Sequence, residues 1–187
     1  RDSFYWLFGS IVLFRFRKVL RNTHGAIGYG KSQLDTYNKL GIPKNKLYQT
    51  AVFIDTKGIV NNENIIKNSE NYFFIFGQQR TVKGWHLLKK IFDKSSKIKY
   101  KIAIHDESKA KDIIKKWELD EFILSNQLDI VTGLSWEELK DNIINARGVI
   151  LPTYWNTPGE FSLVEALGLG KPVVVFNVGF HNDYLKH

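Results

Sequence analysis

Residues 148–176 read GVILPTYWNTPGEFSLVEALGLGKPVVVF, and this segment sets the fold that we predict. Gly148–Leu151 and Pro172–Phe176 are short, continuously apolar runs, which are typical of strands covered on both faces. Between them, a loop containing proline and glycine leads into a predicted helix, Phe161–Leu169. A strand, a helix and a second strand in this order predict one unit of a parallel sheet.

The same alternation extends upstream along the chain. Further strands are predicted at Tyr72–Phe76, Lys101–Ile104 and Leu128–Val131. Helices are predicted between these strands, at Gly84–Phe92, at Ser108–Trp117, and from Ser135, whose capping box is completed by Glu138. Five alternations of strand and helix predict an α/β fold with a doubly wound parallel sheet. Ligands of such sheets bind beyond the carboxyl ends of the strands, at helix N-termini.

The residues before this unit predict a separate, smaller piece of structure. His24–Tyr29 and Leu47–Ile54 have the character of strands, and Ser32–Leu40 that of a helix. The polar, asparagine-rich stretch from Thr56 to Glu70 is a natural domain boundary. We therefore expect one unit over residues 1–68, including the linker, and a second over residues 69–187.

The first predicted helix, Phe4–Leu20, is rich in aromatic residues. Its C-terminal end carries the cations Arg15, Arg17 and Lys18, and Arg21 follows it. Its uncharged part is too short to cross a bilayer, which needs about 20 apolar residues. One interpretation is a buried helix that packs on sequence outside this chain. The other is an interfacial helix that rests on an anionic membrane surface.

Composition narrows the class of protein. The 187 residues carry a formal net charge of +8 and are 43% hydrophobic, as expected of a globular domain. Without cysteine, neither a disulfide framework nor a thiolate metal site can form. The lysines are scattered over helical segments and match no nucleic-acid module, so we expect no nucleic-acid partner. The chain begins at Arg1 and contains no methionine, which favours a fragment.

Two predicted strand ends carry residues suited to a phosphate ligand. After the strand at residues 72–76, Arg80 and Lys83 lie in a loop that opens a helix, where cations and backbone N–H groups can bind a diphosphate. A plain surface loop is the alternative. The second strand end is that of residues 148–151, which is followed by the predicted helix Phe161–Leu169. Glu165 lies about one turn inside this helix, where a carboxylate can accept hydrogen bonds from a ribose diol. A helix-dipole role is the alternative for Glu165.

Taken together, these motifs resemble the C-terminal domain of the retaining family 4 (group 1) glycosyltransferases, which have the GT-B architecture. The specific part is Pro152–Val174, with its SLVEA and GKPVV segments. Support comes from Gly77 to Gly84, Gly133 with Ser135 and Glu138, and residues 52–56. The resemblance implies a GT-B C-terminal, Rossmann-like domain that binds a nucleotide-sugar, incomplete at its C-terminus, joined to a remnant of the N-terminal acceptor domain.

The resemblance also implies roles for individual residues. Glu165 would bind the ribose, and Lys83, helped by Arg80, would bind the diphosphate of the donor. The remaining donor-binding residues implied are Gly77, Gln78, Gly133, Leu134, Thr157, Glu160, Phe161, Ser162, Leu163 and Val164. Among these, backbone N–H groups of residues 161–164 would hold phosphate oxygens, and Gly133 and Leu134 would approach the base.

Two positions depart from the family pattern. Gln78 follows Gly77 where the family has arginine, so Arg80 is expected to supply that charge. The family pairs two glutamates eight positions apart, and the residue eight before Glu165 is Thr157. Glu160 is close enough to substitute only if its loop takes a different path.

The resulting hypothesis is a hexosyltransferase that retains anomeric configuration and transfers sugar from a nucleoside-diphosphate sugar to a glycan or lipid-linked acceptor. By resemblance it needs no cofactor or bound metal, and it would work in surface polysaccharide synthesis on the cytoplasmic face of a membrane. One alternative is a non-catalytic module that binds a nucleotide-sugar, which Thr157 favours. Another is a nucleotide-sugar epimerase with the same two-domain plan.

Overall fold

The computed structural model describes residues 14–52, 70–155 and 159–185. Within these ranges the strands are β1 (Ala26–Gly28), β2 (Leu47–Gln49), β3 (Tyr72–Ile75), β4 (Lys99–Ile104), β5 (Leu128–Thr132), β6 (Gly148–Leu151) and β7 (Val173–Val175). The helices are α1 (14–21), α2 (Lys31–Lys39), α3 (Leu88–Asp93), α4 (Ala110–Lys116), α5 (Asp120–Leu124), α6 (Trp136–Asn145), α7 (Phe161–Gly168) and α8 (Phe180–Tyr184).

Five strands form one parallel sheet in the order β5-β4-β3-β6-β7. From β3 the chain moves outward through β4 and β5, then returns to place β6 on the other side of β3. The predicted doubly wound parallel sheet is thereby confirmed. In such a sheet the crevice for ligands opens where the strand order reverses, here between the carboxyl ends of β3 and β6.

Both faces of the sheet are covered at its central strand, β3. On β3, Phe74 belongs to one buried cluster and Ile75 to another, and both side chains are fully inaccessible to solvent. Phe74 shares its cluster with Leu163 of α7, whereas Ile75 shares its cluster with Leu88 of α3. A strand with apolar contacts on both faces needs no alternation of polar residues, which explains the continuous apolar run in the sequence.

Several boundaries differ from the predicted ones. The helix predicted from Gly84 begins only at Leu88, after two single 3-10 turns, Thr81–Lys83 and Trp85–Leu87. Gly84 interrupts it because its backbone has a φ of 79°, in the left-handed region that ends regular helices. The helices α5 and α8 were not predicted. Each has five residues, too few to produce a helical period in the sequence.

The N-terminal piece is a small β-α-β unit. Strands β1 and β2 are parallel, and α2 connects them. The N-terminus of α2 has no side-chain cap of its own, and a distant residue supplies one: the backbone N–H of Ser32 donates to Asp183 Oδ2 at 3.1 Å. Gly30 permits this approach, because a Cβ there would lie 2.3 Å from the same oxygen. The predicted domain boundary falls mostly in residues 53–69, outside the described ranges.

Helix α1 covers the described part of the aromatic opening segment, whose residues 4–13 lie outside the described ranges. Phe14, Phe16 and Val19 are exposed by 51–72% on this chain. The cations Arg15, Arg17, Lys18 and Arg21 lie on the same short helix. In the described part of the chain, no helix is both long and apolar enough to cross a membrane.

Candidate functional site

The loops that follow β3 and β6 are in backbone contact. Gly84 lies so close to Pro152 that a Cβ at position 84 would be 1.9 Å from the Pro152 carbonyl oxygen. Since a methyl group cannot fit there, only glycine allows this contact, and its positive φ adds a second reason. The contact places Lys83, which ends the 3-10 turn before Gly84, beside the residues that follow β6.

A cavity of about 380 Å³ opens at this crevice. Six of the residues predicted to bind the donor line it, namely Gly77, Gln78, Lys83, Glu160, Phe161 and Ser162. Thr153 and Trp155, which were not predicted, also line it. The crevice therefore brings together the loop after β3, the loop after β6 and the first turn of α7.

At the floor of the cavity, the Glu160 carboxylate joins three parts of the chain. Its Oε1 accepts hydrogen bonds from Lys83 Nζ at 2.9 Å and from Thr153 Oγ1 at 2.7 Å. Its Oε2 lies 2.5 Å from His181 Nε2. Glu160 is only 4% exposed, and a buried carboxylate requires this many donors to remain ionised.

The electrostatics of Glu160 reflect two opposing influences. Burial by itself would raise the pKa of the Glu160 carboxyl. Hydrogen bonds from His181, Thr153 and Lys83, together with the charge of Lys83, outweigh burial and hold the pKa below its usual value. The carboxylate is therefore a fixed anion that faces Lys83 across the crevice floor.

Glu165 has a different environment on the same helix. Its side chain is half-buried, and burial raises the pKa of its carboxyl. In the described part of the chain its side chain has neither a hydrogen bond nor an ion pair, and it is not among the residues that line the cavity. Glu165 is thus a carboxylate with free acceptor capacity, one helical turn beyond the cavity.

The other predicted residues lie farther from the cavity or are engaged elsewhere. Arg80 is exposed, and Gly133 and Leu134 follow β5, two strands away from β3. The N–H groups of Leu163 and Val164 already donate to the Glu160 carbonyl at 3.1 and 3.3 Å. This leaves the N–H groups of Phe161 and Ser162 at the start of α7, where a helix has no intrahelical acceptor. Thr157 lies outside the described residues.

His181 is the main residue of this site that sequence analysis did not assign. It is fully buried, and its Nδ1 lies 2.9 Å from the carbonyl oxygen of Phe176. The signal was its place after β7, at the same sheet edge as Lys83 and Glu160. Sequence alone could not show that α8 turns this ring inward, because α8 itself was not predicted.

Changing Glu160 to glutamine should make stability less dependent on acid. A carboxyl with a lowered folded pKa stabilises the fold above its usual value of 4.5, and this contribution is lost as the pH falls through the folded pKa. We expect Glu160→Gln to lower the free energy of unfolding at pH 7 by about 1–3 kcal/mol. Below pH 4.5 the difference from wild type should shrink, as measured by urea denaturation at several pH values.

Glu165→Gln is the matched control on the same helix. Because burial raises the pKa of Glu165, ionisation of this carboxyl costs stability, which the wild type regains as the pH falls. The pH dependence of its difference from wild type should therefore have the opposite sign. The same trend for both variants would contradict the assignment of Glu160 as a stabilised carboxylate.

Comparison with known proteins gives the family and the fold. A family model described as Glycosyl transferases group 1 matches residues 57–187. No curated protein matches the chain at a significant level. Among solved structures, Alr3699/HepE of Anabaena, in complex with UDP and glucose, is similar with a TM-score of 0.70 and 14% identity, over 94% of this chain and 50% of that one.

Two further structures have the same fold. A glycosyltransferase from Rickettsia africae gives a TM-score of 0.73 at 12% identity, over 92% of this chain and 50% of that one. Sucrose-phosphate synthase from Thermosynechococcus elongatus gives 0.71 at 16% identity, over 89% and 44%. The chain thus spans about half the length of these proteins. Because the family model covers more than half of the 187 residues, the chain belongs to the group 1 glycosyl transferases.

Proposed function

We propose that this chain forms the donor-binding side of a retaining, family 4 hexosyltransferase, which uses a nucleoside-diphosphate sugar. One observation carries the proposal. The Lys83 ammonium lies at a cavity where the strand order of the sheet reverses, between the carboxyl ends of β3 and β6, and beside the first turn of α7. A cation and a helix N-terminus on one cavity wall are complementary to a diphosphate.

Lys83 can serve Glu160 and a phosphate at once. An ammonium group has three N–H donors, and Glu160 Oε1 accepts one of them. The Lys83 side chain is 19% exposed, so its head can reach a ligand in the cavity. As the bond between sugar and diphosphate breaks, negative charge grows on the leaving group, and the two remaining donors would stabilise it.

The first turn of α7 would add to this stabilisation. Phe161 and Ser162 line the cavity, and their N–H groups lie at the positive end of the helix dipole. Gly77 faces them, since a Cβ at position 77 would lie 3.4 Å from Ser162 Oγ. With these groups as the source of positive charge, we propose transfer that requires no bound metal.

Glu165 is proposed as the ligand of the ribose. Its carboxylate has acceptor capacity that the described part of the chain does not use, so a diol could donate to both oxygens. The Alr3699/HepE structure holds UDP and glucose, which supports uridine diphosphate as the first nucleotide to test and a hexose as the sugar. Gly133 and Leu134 would then approach the base, with Arg80 and Gln78 near the diphosphate.

The proposed second substrate, which would receive the sugar, is a glycan or lipid-linked acceptor at a membrane. Solved relatives include TarM with alpha-GlcNAc-glycerol and UDP, and the lipopolysaccharide outer core galactosyltransferase WaaB. In this chain, the exposed phenylalanines and the cations of α1 are suited to an anionic bilayer surface. Cytoplasmic leaflets carry such lipids, so we propose attachment on that face.

Lys83→Ala should weaken UDP binding by about 1.5–3 kcal/mol, because a charge-assisted hydrogen bond is lost. Isothermal titration calorimetry with the folded variant measures the difference. Lys90→Ala is the control, since Lys90 is exposed on α3 and its removal changes the net charge equally. Equal affinity for wild type and Lys83→Ala would exclude Lys83 from the diphosphate site.

Glu165→Ala should weaken UDP binding more than inorganic pyrophosphate binding, because the proposed partner is the ribose and pyrophosphate has none. Competition titrations with both ligands measure the two losses. If both affinities fall equally, the ribose assignment is wrong. Thermal unfolding of the variant separates this result from a structural role of Glu165 in α7.

The protein should sediment with vesicles that contain phosphatidylserine and should be released by high salt, because screening weakens the attraction of α1 to anionic lipid. Replacement of Arg15, Arg17 and Lys18 by serine should abolish sedimentation. The matched control replaces Lys111, Lys115 and Lys116, on the exposed face of α4, by serine and should leave sedimentation unchanged. Equal binding to neutral vesicles would contradict the electrostatic part of the proposal.

A further inference from the structure

We propose that His181 is a positioning residue, which donates hydrogen bonds from both ring nitrogens and acts through Glu160 to hold Lys83 at the cavity. This inference rests on the proposed function of the same site, because that function assigns Lys83 to binding the diphosphate. It adds a component from α8, which neither lines the cavity nor belongs to the motif segments.

The hydrogen-bond partners of the ring fix where its hydrogens lie. The carbonyl oxygen of Phe176 can only accept, so Nδ1 carries a hydrogen. Nε2 faces Glu160 Oε2, whose partner oxygen already accepts from Lys83 and Thr153 as an ionised carboxylate does. Two acceptors on the two ring nitrogens require a hydrogen on each nitrogen.

The Nε2 donor of His181 determines how Glu160 is oriented. Lys83 and Thr153 both bind Oε1, so His181 is the donor that holds Oε2. Without that donor, Oε2 would be buried with no partner, and the side chain would turn to find one. Lys83 would then lose the oxygen that places its ammonium at the cavity.

Helix α8 is itself held from the opposite side. Ser32 Oγ of α2 donates to the Gly179 carbonyl at 3.1 Å, and the Ser32 N–H donates to Asp183. Gly179 and Asp183 flank His181 by two residues each. The ring is therefore fixed at both ends of a short helix, as a positioning group requires.

The first test reads the ring directly in the unmodified protein. Proton–nitrogen NMR correlation spectra of the ¹⁵N-labelled chain at pH 7 should show hydrogens on both ring nitrogens of His181. The signal is assigned by its loss in His181→Gln. A neutral ring with a single hydrogen overturns the inference, and this measurement requires no ligand.

The second test is a double-mutant cycle with UDP as the probe. His181→Gln should weaken UDP binding about tenfold in the wild-type background and less than about twofold in the Lys83→Ala background. Equal losses in both backgrounds overturn the inference, because a purely structural role would act independently of Lys83. If His181→Gln does not fold, His181→Asn takes its place in the cycle.

His86→Gln is the control, because His86 is exposed near the crevice and contacts Tyr154 rather than Glu160. It should leave UDP affinity unchanged, and a tenfold loss there would overturn the assignment to His181. Absence of UDP binding by the wild type would count against the proposed function instead. In that case the state of the ring, read by NMR, still decides on His181.

Discussion

A carboxylate buried at the end of a sheet needs hydrogen-bond donors around it, and Glu160 obtains them from the segments that follow three different strands. Lys83 follows β3, Thr153 follows β6 and His181 follows β7. Because each donor comes from a different strand end, the position of one loop depends on the others. The local shape of the crevice therefore depends on the Glu160 carboxylate. The same carboxylate also positions the Lys83 ammonium group that faces the cavity.

This arrangement is possible only because of the strand order. Adjacent placement of β3 and β6 brings residues about 70 positions apart in sequence to the same edge of the sheet. Gly84 then lets the two backbones touch, which no residue with a side chain could do. The strand order determines the approximate distance between the two loops. The Gly84–Pro152 contact and the Lys83–Glu160 ion pair then determine their final separation.

Sequence analysis predicted the sheet well because its signal is local. A run such as Tyr72–Phe76 is apolar regardless of what packs on it, and β3 occupies nearly the same residues. It also placed Lys83 at a crevice, since the rule for strand ends needs only the element order. The Lys83–Glu160 ion pair was beyond reach, because it joins residues 77 positions apart whose separation depends on tertiary packing. The same holds for His181, on a helix too short to leave a periodic pattern.

The two-stranded pair β1–β2 has a consequence for handling the polypeptide. In the described part of the chain no third strand joins this pair, so each strand keeps an open edge. Ile27 and Tyr48, which are register partners, are 66% and 58% exposed on it. Open edges with exposed apolar side chains recruit other strands, which leads to self-association. The open edges of β1 and β2 are therefore sites at which this polypeptide would self-associate in solution.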